Sequence, residues 1–132
     1  MASRQLALLV LDETFAVSRL SGDAPVPTWA HAGPFYSVTR TAEELSIVSR
    51  QDVVPDGVRC ERGWRCLRVE GTIPFSAVGV LASLATPLAE AGVSVFAVST
   101  FDTDYLLVKE NDLAAAVEAL QRQGHTVTSR SG

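Results

Sequence analysis

The sequence predicts an α+β fold, with a strand-rich first half followed by a second half in the order βαββαβ. Three observations carry this prediction. Residues 77–91 repeat apolar side chains at Ala77, Val80, Leu81, Leu84, Leu88 and Ala91, near the i, i+3, i+4, i+7 spacing of an amphipathic helix. Residues 93–99 and 104–109 are short β-branched and apolar runs separated by Phe101-Asp102-Thr103. Residues 21–34 hold two Gly and three Pro, a density that no long helix or central strand tolerates.

The elements follow in order. Gln5 to Leu11 and Phe15 to Leu20 read as two strands, with Asp12-Glu13-Thr14 expected to turn between them as a hairpin. Pro27-Thr28-Trp29-Ala30 suits a single helical turn, with proline early, where its missing N–H costs nothing. Trp29 is expected to plug a core rather than present a ligand platform. Phe35 to Thr39 and Leu45 to Ser49 are strands on either side of Arg40 to Glu44. Pro55-Asp56-Gly57 is a turn and marks the seam between two halves, with a looser connection through Arg62-Gly63. Trp64 to Glu70 is a strand with Arg65, Leu67 and Val69 on one face.

Ser76 is placed as the N-cap of the first helix, its hydroxyl accepting an early amide N–H. Pro87 would forfeit a hydrogen bond and crowd the Ser83 carbonyl at a cost of ~3 kcal/mol, so a bend or an approaching helix end is expected there. Gly92 takes the left-handed position that stops the helix. Asn111 is placed as the cap of a second helix over 112–123, striped by Leu113, Ala116, Val117 and Leu120. Gly124 closes it, and His125 to Thr128 returns as the last strand. Two split β-α-β units sharing one antiparallel sheet make a ferredoxin-like arrangement. Its helices cover one face, which leaves the other face and an edge to be covered by the first half or by a second copy of the chain.

The 132 residues are enough for one ordinary domain or two very small ones. The formal charge is −4, with 11 scattered Lys and Arg against 15 Asp and Glu. That balance argues against nucleic acid and against a membrane surface as partners. The apolar run before Asp12 is too short for a signal sequence or a span, and cytoplasm is the expected compartment. Cys60 and Cys66 are the only cysteines. In an extended segment their sulfurs would lie roughly 20 Å apart, too far to bond, so two reduced thiols are expected. Two thiols without a paired histidine motif make a poor zinc site, and no metal or cofactor is expected.

Three stretches then resemble a known family: FYSVTRTAEELSIVSRQDVVPDG at 35–57, GWRCLRVEG at 63–71 and, most specifically, GVSVFAVSTFDTDYLLV at 92–108. They resemble the ACT domain, a small βαββαβ module that senses amino acids in metabolic enzymes. The subgroup they resemble pairs ACT units, as in small bacterial proteins and the cytosolic arginine sensors of animals. The resemblance covers roughly residues 34–124. It implies a reduced, strand-rich ACT-like half over 1–58, lacking two full helices, and an ACT domain over 63–130. It also implies a free amino acid bound at the interface between ACT units. Carried over by position, the ligand-binding residues are Val78 and Gly79 at the start of the first helix, with Ser99, Thr100, Phe101 and Asp104 on the strand and turn opposite.

The chemistry of these residues suits a zwitterion. The first turn of a helix offers unpaired amides and a partial positive charge to a carboxylate, and Gly79 lets a ligand approach the backbone. Asp104, Asp102 or turn carbonyls would accept from an ammonium, and Phe101 would pack on carbon. Three or four charged hydrogen bonds at ~1.5–3 kcal/mol each, less ordering costs, imply micromolar affinity. A basic ligand side chain would suit a spare carboxylate at Asp102 or Asp104. The plainer readings are hairpin residues in solvent for the two aspartates, a core residue for Phe101, and a surface ion pair with Glu43 and Glu44 for Arg40. Asp-x-Asp also opens a calcium loop, but Leu107 and Leu113 stand where that loop needs Gly and Glu.

His31 and His125 are the histidines available for acid–base work, and neither sits in a nucleophile or phosphate-loop motif. The resemblance then implies a non-catalytic regulatory module acting upon some regulated protein, and the uncovered sheet leads to the expectation of a homodimer. The alternative is a ligand-free ACT module that only docks another protein.

Overall fold

The computed structural model describes residues 5–129. The described residues divide into two compact units, one formed by residues 13–64 and the other by residues 5–12 together with 65–129. The first strand's leading half thus belongs with the second part of the chain.

The larger unit contains the leading half of β1 (Ala7–Ser21), most of β4 (Cys60–Val69), α1 (Val80–Glu90), β5 (Val95–Ser99), β6 (Asp104–Lys109), α2 (Leu113–Arg122) and β7 (Thr126–Ser129). The order from β4 onward is βαββαβ, and the fold is ferredoxin-like α+β. β6 lies between β4 and β5, with Val95 opposite Val108 and Ser99 opposite Asp104. The ferredoxin-like sheet carries one added strand. Ala7 to Val10 pair in parallel with Thr126 to Ser129, and the Glu70 amide donates to the Ala7 carbonyl across 2.8 Å.

Both helices press onto this sheet through one apolar cluster. Leu84 and Leu88 come from α1, Ala116 and Leu120 from α2, and Leu67 and Leu106 from the sheet. Both helices end the same way. The Val93 amide donates to the Leu88 carbonyl and the Gly92 amide to Ala89; His125 repeats this to Leu120 and Gly124 to Gln121. These paired bonds are a Schellman motif, which needs the left-handed backbone that Gly92 and Gly124 supply at φ 78° and 94°.

The smaller unit contains the rest of β1, β2 (Ser37–Arg40), β3 (Glu44–Arg50) and the start of β4, in the order β2-β3-β1-β4. One 3-10 turn, Thr28–His31, covers it and seats Ala30 against Leu45 and Ile47, with Trp29 packed beside them. Phe15 and Phe35 meet edge to face at 5.6 Å.

Several sequence expectations are corrected. Asp12-Glu13-Thr14 does not turn, and β1 runs unbroken for 15 residues. That tripeptide has no Gly or Asn to take the left-handed backbone of a tight hairpin; β1 changes neighbour instead, from β7 before it to β3 after it. The connection at Arg62-Gly63 is not loose. β4 runs through it, Arg62 donates to the Gln51 carbonyl, and the Gly63 amide donates to Gln51 Oε1. The first helix starts at Val80 with Gly79 as its N-cap, and Ser76 does not cap it. The cap position of α2 is Asp112, not Asn111, and no side chain caps it. Arg40 is not paired with Glu43 or Glu44: its guanidinium donates to the carbonyls of Gly22 and Ala24. Cys60 and Cys66 are not joined by a disulfide. Among the described residues, no helix is long and apolar enough to cross a membrane.

Candidate functional site

Two loops of the larger unit meet beside the start of α1. The first runs from Glu70 to Gly79 and contains a turn in which the Ala77 amide donates to the Pro74 carbonyl at 3.0 Å. Gly79 ends it with φ 78°, a left-handed backbone that turns the chain into the helix. The second is the turn between β5 and β6. It is closed by the Thr100 amide on the Thr103 carbonyl at 2.8 Å and by Thr100 Oγ1, which accepts from the Thr103 amide. Thr103 is buried and donates its hydroxyl to the Val69 carbonyl at 2.7 Å, which pins the turn to β4. The Ile73 amide donates to the Asp102 carbonyl at 2.7 Å and ties one loop to the other.

A cleft of about 300 Å³ opens between them, at the small end of the usual range for ligand sites. Gly79, Ser99, Thr100, Phe101 and Asp104, all singled out in the sequence, line it together. Val78 does not line it; its side chain is 93% exposed. A side chain added at Gly79 would meet nothing within 4 Å, so the backbone there is open to a visitor. Ser99 Oγ donates to Asp104 Oδ1 at 2.6 Å, which fixes that carboxylate and leaves its second oxygen for another donor. The first turn of α1 adds the amides that no carbonyl of the helix can reach.

Phe75 is the cleft residue that sequence reasoning missed. It meets Phe101 edge to face, with ring centroids 4.6 Å apart, and the two rings are 75% and 77% exposed. Phe75 falls in a loop without periodicity, so nothing in the sequence separates it from an ordinary turn residue. Asp102, offered as a second acid, does not line the cleft; its carbonyl makes the tie between the two loops. Leu81 lines the cleft and is 38% exposed, so the helix spends one of its apolar positions here rather than in the core.

The histidines are placed elsewhere. His125 is 5% exposed. Its Nδ1 accepts from the Leu6 amide at 3.1 Å, and its Nε2 therefore carries the proton and faces the Ser83 carbonyl at 3.2 Å. That carbonyl is the one Pro87 deprives of its helical partner. The imidazole thus mends the proline's defect, and both ring nitrogens are occupied. His31 packs edge to face on Tyr36. Two carboxyls of the smaller unit are held below their usual range. The Ser21 hydroxyl lowers Asp23, and paired hydrogen bonds from Arg50 lower Asp52, while Asp52 raises Arg50 in return. Among the described residues, no cluster of three or more His, Cys, Asp or Glu is placed to hold a metal ion.

A βαββαβ unit with a ligand-sized cleft at its first helix is the architecture of an ACT domain, and residues 59–122 match the family model of that description. That stretch of the chain, residues 59–122, is thus an ACT domain. Residues 13–57 match a separate model, that of a companion N-terminal domain. Among named relatives, the human cytosolic arginine sensor for mTORC1 subunit 1 is 37% identical over 67 residues, covering 50% of this chain and 20% of the sensor. The chain therefore spans only about a fifth of that relative's length. Among solved structures, a protein from Agrobacterium tumefaciens superposes with a TM-score of 0.92 at 38% identity, covering 97% of this chain and 96% of its own. The ligand-free regulatory subunit of aspartate kinase from Thermus thermophilus gives a TM-score of 0.60 at 10% identity, over 84% of this chain and 93% of that one, and shares the fold alone.

Proposed function

We propose that this chain is a non-catalytic, cytoplasmic regulatory module that binds a free amino acid in the cleft between Gly79 and Asp104. The carboxylate docks on the first amides of α1, and the ammonium donates to Asp104 and to carbonyls of the turn. The observation that carries this reading is the juxtaposition itself. An open helix start and a fixed, half-used carboxylate face one 300 Å³ space, and those are the two charges a zwitterion needs. The family match and the arginine-sensor relatives support the same class of ligand. The exposed rim formed by Phe75 and Phe101 suits closure by another ACT unit. A second copy of the chain, arranged as a two-fold dimer, would supply that unit and place the ligand at an interface between units.

Calorimetry of the chain against the twenty amino acids tests the reading, with a micromolar binder expected. Asp104→Ala should weaken that binding about tenfold or more, the loss of one charged hydrogen bond at ~1.5–3 kcal/mol, while leaving the melting temperature in place. Unchanged affinity would remove Asp104 from the site. Light scattering should report a dimer at micromolar concentration, and a monomer that still binds would confine the ligand to a single unit. The exposed apolar rim also favours the rival reading of a pure protein-docking module; failure of every amino acid to bind would decide for it.

A further inference from the structure

We infer that the cleft selects amino acids with an apolar side chain, of the leucine, isoleucine, methionine and phenylalanine class, and that Phe75 with Phe101 sets this preference. The inference rests on the amino-acid-binding reading above. It comes from counting what remains in the cleft once the zwitterion is satisfied. Among the described residues the lining holds one carboxylate, Asp104, and no lysine or arginine. Ser99 already donates to one oxygen of that carboxylate, and the ligand ammonium takes the other.

A guanidinium or a second ammonium on the ligand side chain would then find no carboxylate. Asp102, the nearest candidate in sequence, does not line the cleft. An acidic side chain would meet the field of Asp104 with no cation to offset it. Carbon is what remains, offered by Ile73, Phe75, Ala77, Leu81 and Phe101.

The aromatic pair is the least expected part of that wall. Two phenylalanines left 75% and 77% exposed expose apolar surface at the cleft, and a ligand side chain laid against them removes it from water. Cation–π attraction is the strongest objection, since a guanidinium could lie on a ring. The rings cross at 70° with centroids 4.6 Å apart, so the positive edge of one already faces the other. A cation at so exposed a site gains less than one desolvated inside a cage.

The test is calorimetry of the whole chain with leucine, phenylalanine, alanine, arginine and glutamate. Leucine or phenylalanine should bind at least about tenfold more tightly than arginine and glutamate. Phe75→Ala and Phe101→Ala should each weaken leucine several-fold and weaken alanine, which barely reaches the rings, far less. Both rings are exposed, so the melting temperatures should hold and show the variants folded. Arginine binding more tightly than leucine would overturn the selectivity and leave the amino-acid reading standing. Binding of none of the five would overturn the selectivity, and only silence of all twenty amino acids would overturn the amino-acid reading with it. Leucine binding that ignores both ring deletions would overturn the role of the pair.

Discussion

The two units cover their sheets in different ways. In the larger unit two helices cover the sheet, and leucines at 67, 84, 88, 106 and 120 are fully buried between them. In the smaller unit a four-residue 3-10 turn does the same work, seating its Ala30 over Leu45 and Ile47. With less carbon to bury, the smaller unit relies on arginines that cap loop carbonyls. Arg40 holds Gly22 and Ala24, Arg19 holds Glu43, and Arg62 holds Gln51. The difference also decides where chemistry can happen. Only a unit with a true helix offers unpaired amides at its start. The depression in the smaller unit is lined by Glu13, Arg50 and Asp52, and there Arg50 and Asp52 already neutralise each other.

Core truncation should show this contrast most strongly. Leu84→Ala and Ile47→Ala each remove a fully buried side chain, and such changes cost ~2–5 kcal/mol depending on how far the surroundings collapse into the gap. Leu84 sits among rigid helix and sheet neighbours and should fall near the top of that range. Ile47 lies under a short turn that can settle, and should fall near the bottom. Urea midpoints at a constant slope would measure both. Equal losses would mean that the smaller core is as firmly packed as the larger one.

A smaller effect is expected where the larger unit repairs itself. His125→Ala leaves the Ser83 carbonyl and the Leu6 amide without the ring that joined them, and buried groups stranded in this way cost ~1–3 kcal/mol. In a Pro87→Ala background the helix regains an N–H for the Ser83 carbonyl. There the histidine deletion should cost about 1 kcal/mol less, a coupling that a double-mutant cycle resolves. Strict additivity would mean that the imidazole does not act as the substitute for the missing helical bond.

Much of this arrangement is legible in the sequence, and the misses share a cause. Periodicity placed both helices, and the β-branched runs placed β5 and β6, because those segments bury one face against a core they help to make. The Ser99–Asp104 side of the cleft follows from the resemblance to the ACT domain, carried onto the turn that these two strands frame. The sequence suggests a hairpin in β1 because its apolar run stops at Asp12 to Thr14, where the strand changes neighbours rather than direction. Such a change is a fact about distant segments and leaves no local mark. Ser76 looked like a cap on residue type alone, whereas the chain turns at Gly79 because only that position can go left-handed there. Arg40 and Phe75 depend on groups more than a dozen residues away, the Gly22 and Ala24 carbonyls for one and the Phe101 ring for the other.

The smallest expected effect concerns acid, and it falls on the smaller unit. Asp52 receives two hydrogen bonds from Arg50, at 3.0 and 2.6 Å, and its carboxyl is held below its ordinary value. A carboxyl lowered by folding contributes stability above its unfolded pKa of about 3.9 and loses that contribution as the pH falls through the lower folded value. The pair lies in solvent, where such bridges contribute little. Asp52→Asn should therefore leave the urea midpoint at pH 7 within error. Whatever small loss the variant shows should be present at pH 7 and should vanish as the pH falls below about 4, where wild type and variant should converge. Asp23→Asn should behave in the same way, because the Ser21 hydroxyl holds that carboxyl low as well. A clear loss at pH 7 in either variant would mean that these exposed carboxylates carry part of the load assigned here to the arginines capping loop carbonyls.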